Sequence, residues 1–81
     1  MPTLRVLNGS GDAKITWDLS ALDNRDPDAL NAVREAERIF AEERRRGALA
    51  FRVVPGSPAE RLDTFDPRAE ETLVVPPMIG G

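Results

Sequence analysis

Hydrophobic and polar positions partly alternate through Thr3-Leu4-Arg5-Val6-Leu7, which with its β-forming residues reads as a strand. Asn8-Gly9-Ser10-Gly11-Asp12 follows, and its Asn-Gly pair tolerates positive φ, so a hairpin turn is predicted there. The return strand is expected over residues 13–18, with Ile15 and Trp17 on one face and Lys14 and Thr16 on the other. A Gly-x-Gly loop can also cradle phosphate when a helix follows it directly, but this one leads into a strand pattern and reads as a turn.

Residues 19–25 carry little pattern, and the period then changes to that of a helix. Asp26 can accept from exposed amides, and Pro27 suits the first helical position, where its missing N–H is not needed. Leu30, Val33, Ala36, Ile39 and Phe40 recur at spacings of three and four, so residues 27–46 predict one long amphipathic helix. Arg38 and Glu42, and Glu42 and Arg46, lie one turn apart on its polar side. Arg44-Arg45-Arg46 places positive charge at the helix C-terminus, and Gly47 can supply a left-handed cap. A run of three arginines there reads first as a solvated helix end and second as a dock for an acidic surface.

Residues 48–54 form the most strand-like segment. Leu49, Phe51 and Val53 point one way; Ala48, Ala50, Arg52 and Val54 point the other. Pro55-Gly56-Ser57-Pro58 ends it, and residues 61–65 suit a short edge strand. Asp66-Pro67 repeats the cap-then-proline signal, predicting one helical turn over residues 67–71. A last strand over residues 72–75 opposes Leu73 and Val75 to Thr72 and Val74.

One amphipathic helix and a sheet with one apolar face bury both by packing together, which predicts a two-layer α+β domain. Its expected core is Leu4, Val6, Ile15, Trp17, Leu30, Val33, Phe40, Phe51, Leu73 and Val75. The first and last strands are expected to lie side by side as a central parallel pair. With that choice of faces, Ala50, Arg52, Val54 and Val74 would form a mixed apolar-basic patch on the sheet surface opposite the helix, a candidate partner face.

Eighty-one residues suit a single domain. The sequence has no cysteine and no histidine, which removes disulfides, thiol nucleophiles, histidine acid–base pairs and the usual zinc ligands. An enzyme is not expected, nor is a metal site or a bound cofactor. The net charge of −3 disfavours nucleic acid as a main partner. Without an apolar run near the ~20 residues of a membrane span or a signal-like leader, a cytoplasmic protein is expected, with no membrane partner. Lys14 is the single lysine among eleven basic residues.

The ending Pro76-Pro77-Met78-Ile79-Gly80-Gly81 calls for chemistry rather than packing. Glycine at both last positions gives a thin chain that lets a partner reach the final carbonyl, and the two prolines hold the segment extended and outside the sheet ladder. Met78 and Ile79 are apolar and suited to dock on a partner. The element order, the short turn before the last strand and this tail resemble the β-grasp fold of ubiquitin-like proteins, with a domain over residues 1–75 and an extended tail over 76–81. The Pro-Pro-x-x-Gly-Gly ending is similar to the bacterial sulfur carriers of molybdopterin and thiamine synthesis. Gly9-x-Gly11-Asp12, Thr16-Trp17-Asp18, Gly47-Ala48-Leu49-Ala50-Phe51 and Phe65-Asp66-Pro67 more closely resemble the ubiquitin-like proteins of bacterial ubiquitination-like operons.

That resemblance implies a protein modifier. An activating enzyme would adenylate the carboxylate of Gly81 with ATP, the acyl group would pass through enzyme thiols including that of a conjugating enzyme, and an amine on a target protein would receive it. It further implies a deconjugating peptidase of the JAB or another type, and a role in phage defence. Lys14 and the N-terminus would be the chain's own acceptor amines. The alternatives are a sulfur carrier with a thiocarboxylate at Gly81, and a non-covalent β-grasp binding module in which the tail is incidental.

Overall fold

Residues 1–8 and 11–77 are described by the structure, a computed structural model. Thr3–Asn8 forms β1 and Gly11–Thr16 forms β2, an antiparallel pair with Leu4 opposite Ile15 and Val6 opposite Ala13. Gly9 and Ser10 of the expected turn lie outside the described residues; Asn8 and Gly11 pair on either side of them. β2 stops at Thr16 rather than running on to 18, because Trp17 and Asp18 are used otherwise. The Trp17 amide donates to the Pro2 carbonyl at 3.1 Å. The Asp18 carboxylate caps a five-residue helix, α1 (Leu19–Asp23), accepting from the Ser20 amide at 2.8 Å and the Ala21 amide at 3.2 Å. A helix this short has no room for a periodic stripe, so its sequence reads as featureless.

α2 (Pro27–Arg45) begins where Asp26 and Pro27 predict, with the Asp26 side chain accepting from the Asp28 amide. Gly47, at φ 95°, ends it in a Schellman motif: its amide donates to Arg44 O and the Ala48 amide to Glu43 O, each at 3.0 Å. On the exposed side Arg38 pairs with Glu42 at 3.1 Å and Arg46 with Glu42 at 2.9 Å, as the spacing predicts.

β3 (Leu49–Val53), β4 (Glu60–Leu62) and β5 (Glu71–Val75) complete one mixed sheet in the order β2-β1-β5-β3-β4. β1 and β5 are central and parallel, with Val6 opposite Val74. β4 is shorter than residues 61–65 and lies earlier. The helical turn expected over residues 67–71 does not form; Pro67 and Arg68 make a non-helical turn instead, with the Arg68 amide donating to Asp66 Oδ1 and the Ala69 amide to Asp66 O. It cannot lengthen, since the Glu70 carbonyl already accepts from the Thr3 amide and the chain is in the sheet by then.

The sheet's faces correct the expected core. Leu4, Val6, Trp17 and Phe40 are buried as expected, and Ile15 and Val33 pack against them. In β3, the residue before it and β5, however, the residues facing α2 are Ala48, Ala50, Thr72 and Val74, all at most 1% exposed. Phe51, Leu73 and Val75, expected in the core, lie on the opposite face and are half-buried. The expected partner face is inverted with them: Ala50 and Val74 are buried opposite each other under the helix, and so cannot be a docking surface. Arg52 shares their side of the sheet and is held at 2.6 Å by Glu60, and only Val54 is exposed. The physical reason is close approach. Ala36 of α2 has no exposure, and a helix seated that near the sheet leaves space for alanine but not for phenylalanine or leucine.

Candidate functional site

The tail leaves from the middle of the sheet. β5 lies between β1 and β3, and its last residue, Val75, pairs with Leu49 at the start of β3. Pro76 is half-buried and Pro77 exposed. Pro77 runs over the end of α2, so that a Cβ placed on Gly47 would lie 3.9 Å from Pro77 Cγ. The two prolines thus step out of the ladder beside the helix C-terminus. Met78, Ile79, Gly80 and Gly81, the remainder of the predicted site, lie outside the described residues.

Next to that departure point the solvent face of the sheet is apolar. Strand register puts Leu49 beside Val75 and Phe51 beside Leu73 on this face, and Leu49 is 39% exposed. One row crosses all five strands: Lys14 opposite Arg5, Arg5 opposite Leu73, Leu73 opposite Phe51 and Phe51 opposite Arg61. Two apolar side chains are therefore flanked by cations at both ends. This surface is the one the inverted parity hid. The sequence signal for it is that both faces of β3 and β5 carry apolar residues, while on one of them these are small or β-branched, with Arg52 beside them. A helix can close on that face alone, and the larger side chains must then face solvent.

Lys14, the expected acceptor amine, is exposed on the edge strand β2. Trp17 serves packing: its ring lies 5.9 Å from that of Phe65, and its indole N–H donates to the Pro67 carbonyl at 2.9 Å. The ionisable groups with displaced pKa values stand away from the tail. Hydrogen bonds from the Ser20 hydroxyl and the Ala21 and Ser20 amides hold the Asp18 carboxyl below the usual range. The Arg38 guanidinium does the same for Glu35, and Glu35 in turn raises Arg38. Among the described residues no group of three or more acidic, histidine or cysteine side chains is placed to hold a metal ion. No helix among them is long and apolar enough to cross a membrane.

Comparison with protein-family models, with curated proteins and with solved structures finds no match to this chain.

Proposed function

We propose that this chain is a ubiquitin-like protein modifier of β-grasp fold, activated at Gly81 and joined through it to an amine. The observation that carries the reading is the relation of tail to sheet. A central strand hands the chain to two prolines beside an apolar surface rimmed by Arg5, Lys14 and Arg61, and the sequence then runs on to Gly80-Gly81. An enzyme that grips this surface holds the base of the tail in register with its own reactive centre, and positioning of that kind is the main catalytic resource for acyl transfer. The mixed five-stranded sheet crossed by one long helix is compatible with a β-grasp.

The chemistry proceeds in three displacements. The Gly81 carboxylate attacks the α-phosphate of ATP on the activating enzyme, forming an acyl-adenylate and releasing pyrophosphate. A cysteine thiolate attacks the Gly81 carbonyl and expels AMP, and the acyl group moves on to the conjugating enzyme by thiol exchange. The target amine then expels that thiolate and loses a proton, leaving an amide. This chain contains no cysteine, so both thiols belong to the enzymes. A sulfur carrier shares the adenylation and differs in the final acceptor, which is sulfide.

The test is co-expression of the full chain with activating and conjugating enzymes of the bacterial ubiquitination-like operons whose ubiquitin-like proteins it resembles. ATP-dependent heavier species joined through Gly81 are expected, and they should vanish on deletion of Gly81. If they persist in the deletion variant, the reading is wrong. Intact mass decides between acceptors: an oxygen-to-sulfur exchange at the terminus identifies the carrier instead. Gly81→Ala without effect, together with loss of partner binding on substitution of Phe51 or Leu73, identifies a non-covalent module.

A further inference from the structure

An open groove of about 1180 Å³ runs along the outer side of α2, between the helix and residues 63–65. Its floor is aromatic and small. Phe65 lies 5.7 Å from the buried ring of Phe40, and Ala41 is exposed beside them. A partner side chain set on Ala41 therefore meets ring surface without displacing a long residue.

Arginine lines the walls. Arg34, Arg38 and Arg45 stand at positions i, i+4 and i+11 of α2, one stripe of the helix, and Arg44 adds a fourth. Arg38 is taken up by Glu35 and Glu42, and Arg44 by Asp63 at 3.6 Å and the Ala48 carbonyl. Arg34 and Arg45 have no carboxylate within 4.0 Å among the described residues, although Glu37 also borders the groove. Arg34 stands one turn from Arg38, a like charge, and an anion held at Arg34 relieves what repulsion the carboxylates on Arg38 leave. Four arginines against Glu35, Glu37 and Asp63 leave the groove's border net positive by one in a chain of net charge −3, with Arg34 and Arg45 the cations that hold no carboxylate among the described residues.

We infer that the groove between α2 and residues 63–65 binds an acidic segment of a partner protein, inserting one bulky apolar side chain against Phe65 and Ala41 while its carboxylates meet Arg34 and Arg45. Charge complementarity fixes the sign of the partner, and the apolar floor between the arginines fixes the need for an anchoring side chain. A polyanion such as nucleic acid supplies charge but nothing for the floor. The site lies on the helix layer, opposite the surface beside the tail, so one partner can hold the helix while another holds the sheet. It does not depend on activation at Gly81.

The test is a titration of the full-length, isotope-labelled chain with the peptide acetyl-Glu-Glu-Leu-Phe-Asp-Glu-Leu-amide, followed by backbone amide shifts. Shifts at Arg34, Arg38, Ala41, Arg45, Thr64 and Phe65 are expected. The double variant Arg34→Glu/Arg45→Glu should weaken binding by about tenfold or more, and raised salt should weaken it too. Arg5→Glu, on the far surface, should leave it unchanged. Neither Arg34 nor Arg45 holds a carboxylate among the described residues, but Arg45→Glu sets a negative charge at the C-terminal end of α2 and is expected to lower the melt slightly, so binding is compared at a temperature where circular dichroism shows both chains folded. The inference is overturned if the peptide does not bind, if the shifts map to the sheet, or if a peptide with alanine in place of leucine and phenylalanine binds equally well. Self-association through these residues in the absence of peptide, seen as concentration-dependent shifts, also overturns it in favour of a second copy of the chain.

Discussion

Arg25 and Gly47 occupy the same position of the same motif. Each follows the C-cap of a helix in a left-handed conformation, Arg25 at φ 58° after α1 and Gly47 at φ 95° after α2. In both, the next amide reaches back to the third-last helical carbonyl: Asp26 to Ala21 O at 2.9 Å, and Ala48 to Glu43 O at 3.0 Å. Glycine adopts this conformation freely, whereas a residue with a Cβ is strained by about 1–2 kcal/mol. Gly47→Ala is therefore expected to lower stability by about 1 kcal/mol, although the added methyl would only touch Pro77 at ordinary van der Waals distance. Arg25→Gly is expected to raise it by about 0.5 kcal/mol, the relief of strain being partly offset by the freer unfolded chain. Urea unfolding of the two variants, with opposite shifts in midpoint, checks the pair.

Thr72 is 1% exposed, and its hydroxyl has no hydrogen-bond partner among the described residues. It stands opposite Arg52 on the helix-facing side, and Arg52 Nε is likewise buried without a partner. A buried hydroxyl left unpaired is destabilising by about 1–3 kcal/mol, and valine keeps its shape without the oxygen. Thr72→Val should raise stability by about 1 kcal/mol, seen as a rise of about 4–8 °C in the thermal midpoint. An unchanged or lower midpoint would mean that the hydroxyl is satisfied in solution.

The position of the helix over β3 has its own test. Ala50→Leu places three extra carbon atoms where no space is left and should cost about 3 kcal/mol. Leu49→Ala, one residue away but on the solvent face, should cost about 1 kcal/mol or less, because Leu49 is already 39% exposed. Chemical denaturation of both variants reads the difference. The opposite ranking would place α2 on the other side of the sheet.

Asp18 links stability to pH. Its carboxyl is held below the ordinary value by the Ser20 hydroxyl and the Ala21 and Ser20 amides, so the folded state binds its proton less readily than the unfolded chain. A lowered folded pKa contributes stability that is fully present above the unfolded value, near 3.9, and is lost as pH falls through the folded one. The parent should lose its advantage over Asp18→Asn as pH drops below about 4, with no change in that advantage between about pH 6 and 8. Urea midpoints of parent and variant across this range provide the check.

Helix α2 was legible in the sequence because its signals are local. Asp26-Pro27 and Gly47 fix its ends, and the three-and-four spacing of Leu30, Val33, Ala36, Ile39 and Phe40 fixes its period. α1 was not, since five residues capped by Asp18 and closed by Arg25 carry neither a stripe nor a glycine. β1, β3 and β5 and their alternation were legible too, as was the parallel neighbourhood of β1 and β5, whereas the bounds of β2 and β4 were not. Pro76, Pro77 and the exposed Lys14 also stand out in the sequence, as does the arginine run that ends beside the groove.

The sequence by itself determined which residues alternate, where α2 starts and stops, and that these residues include no cysteine and carry Gly80-Gly81 after Pro76-Pro77. It could not determine which face of β3 and β5 the helix covers, because both faces are apolar and periodicity weighs Phe51 against Ala50 only by size. The tertiary structure decided that in favour of Ala48, Ala50, Thr72 and Val74. The helix approaches the sheet through Ala36, and close packing admits small side chains there and sends Leu49, Phe51, Leu73 and Val75 to the surface beside the tail.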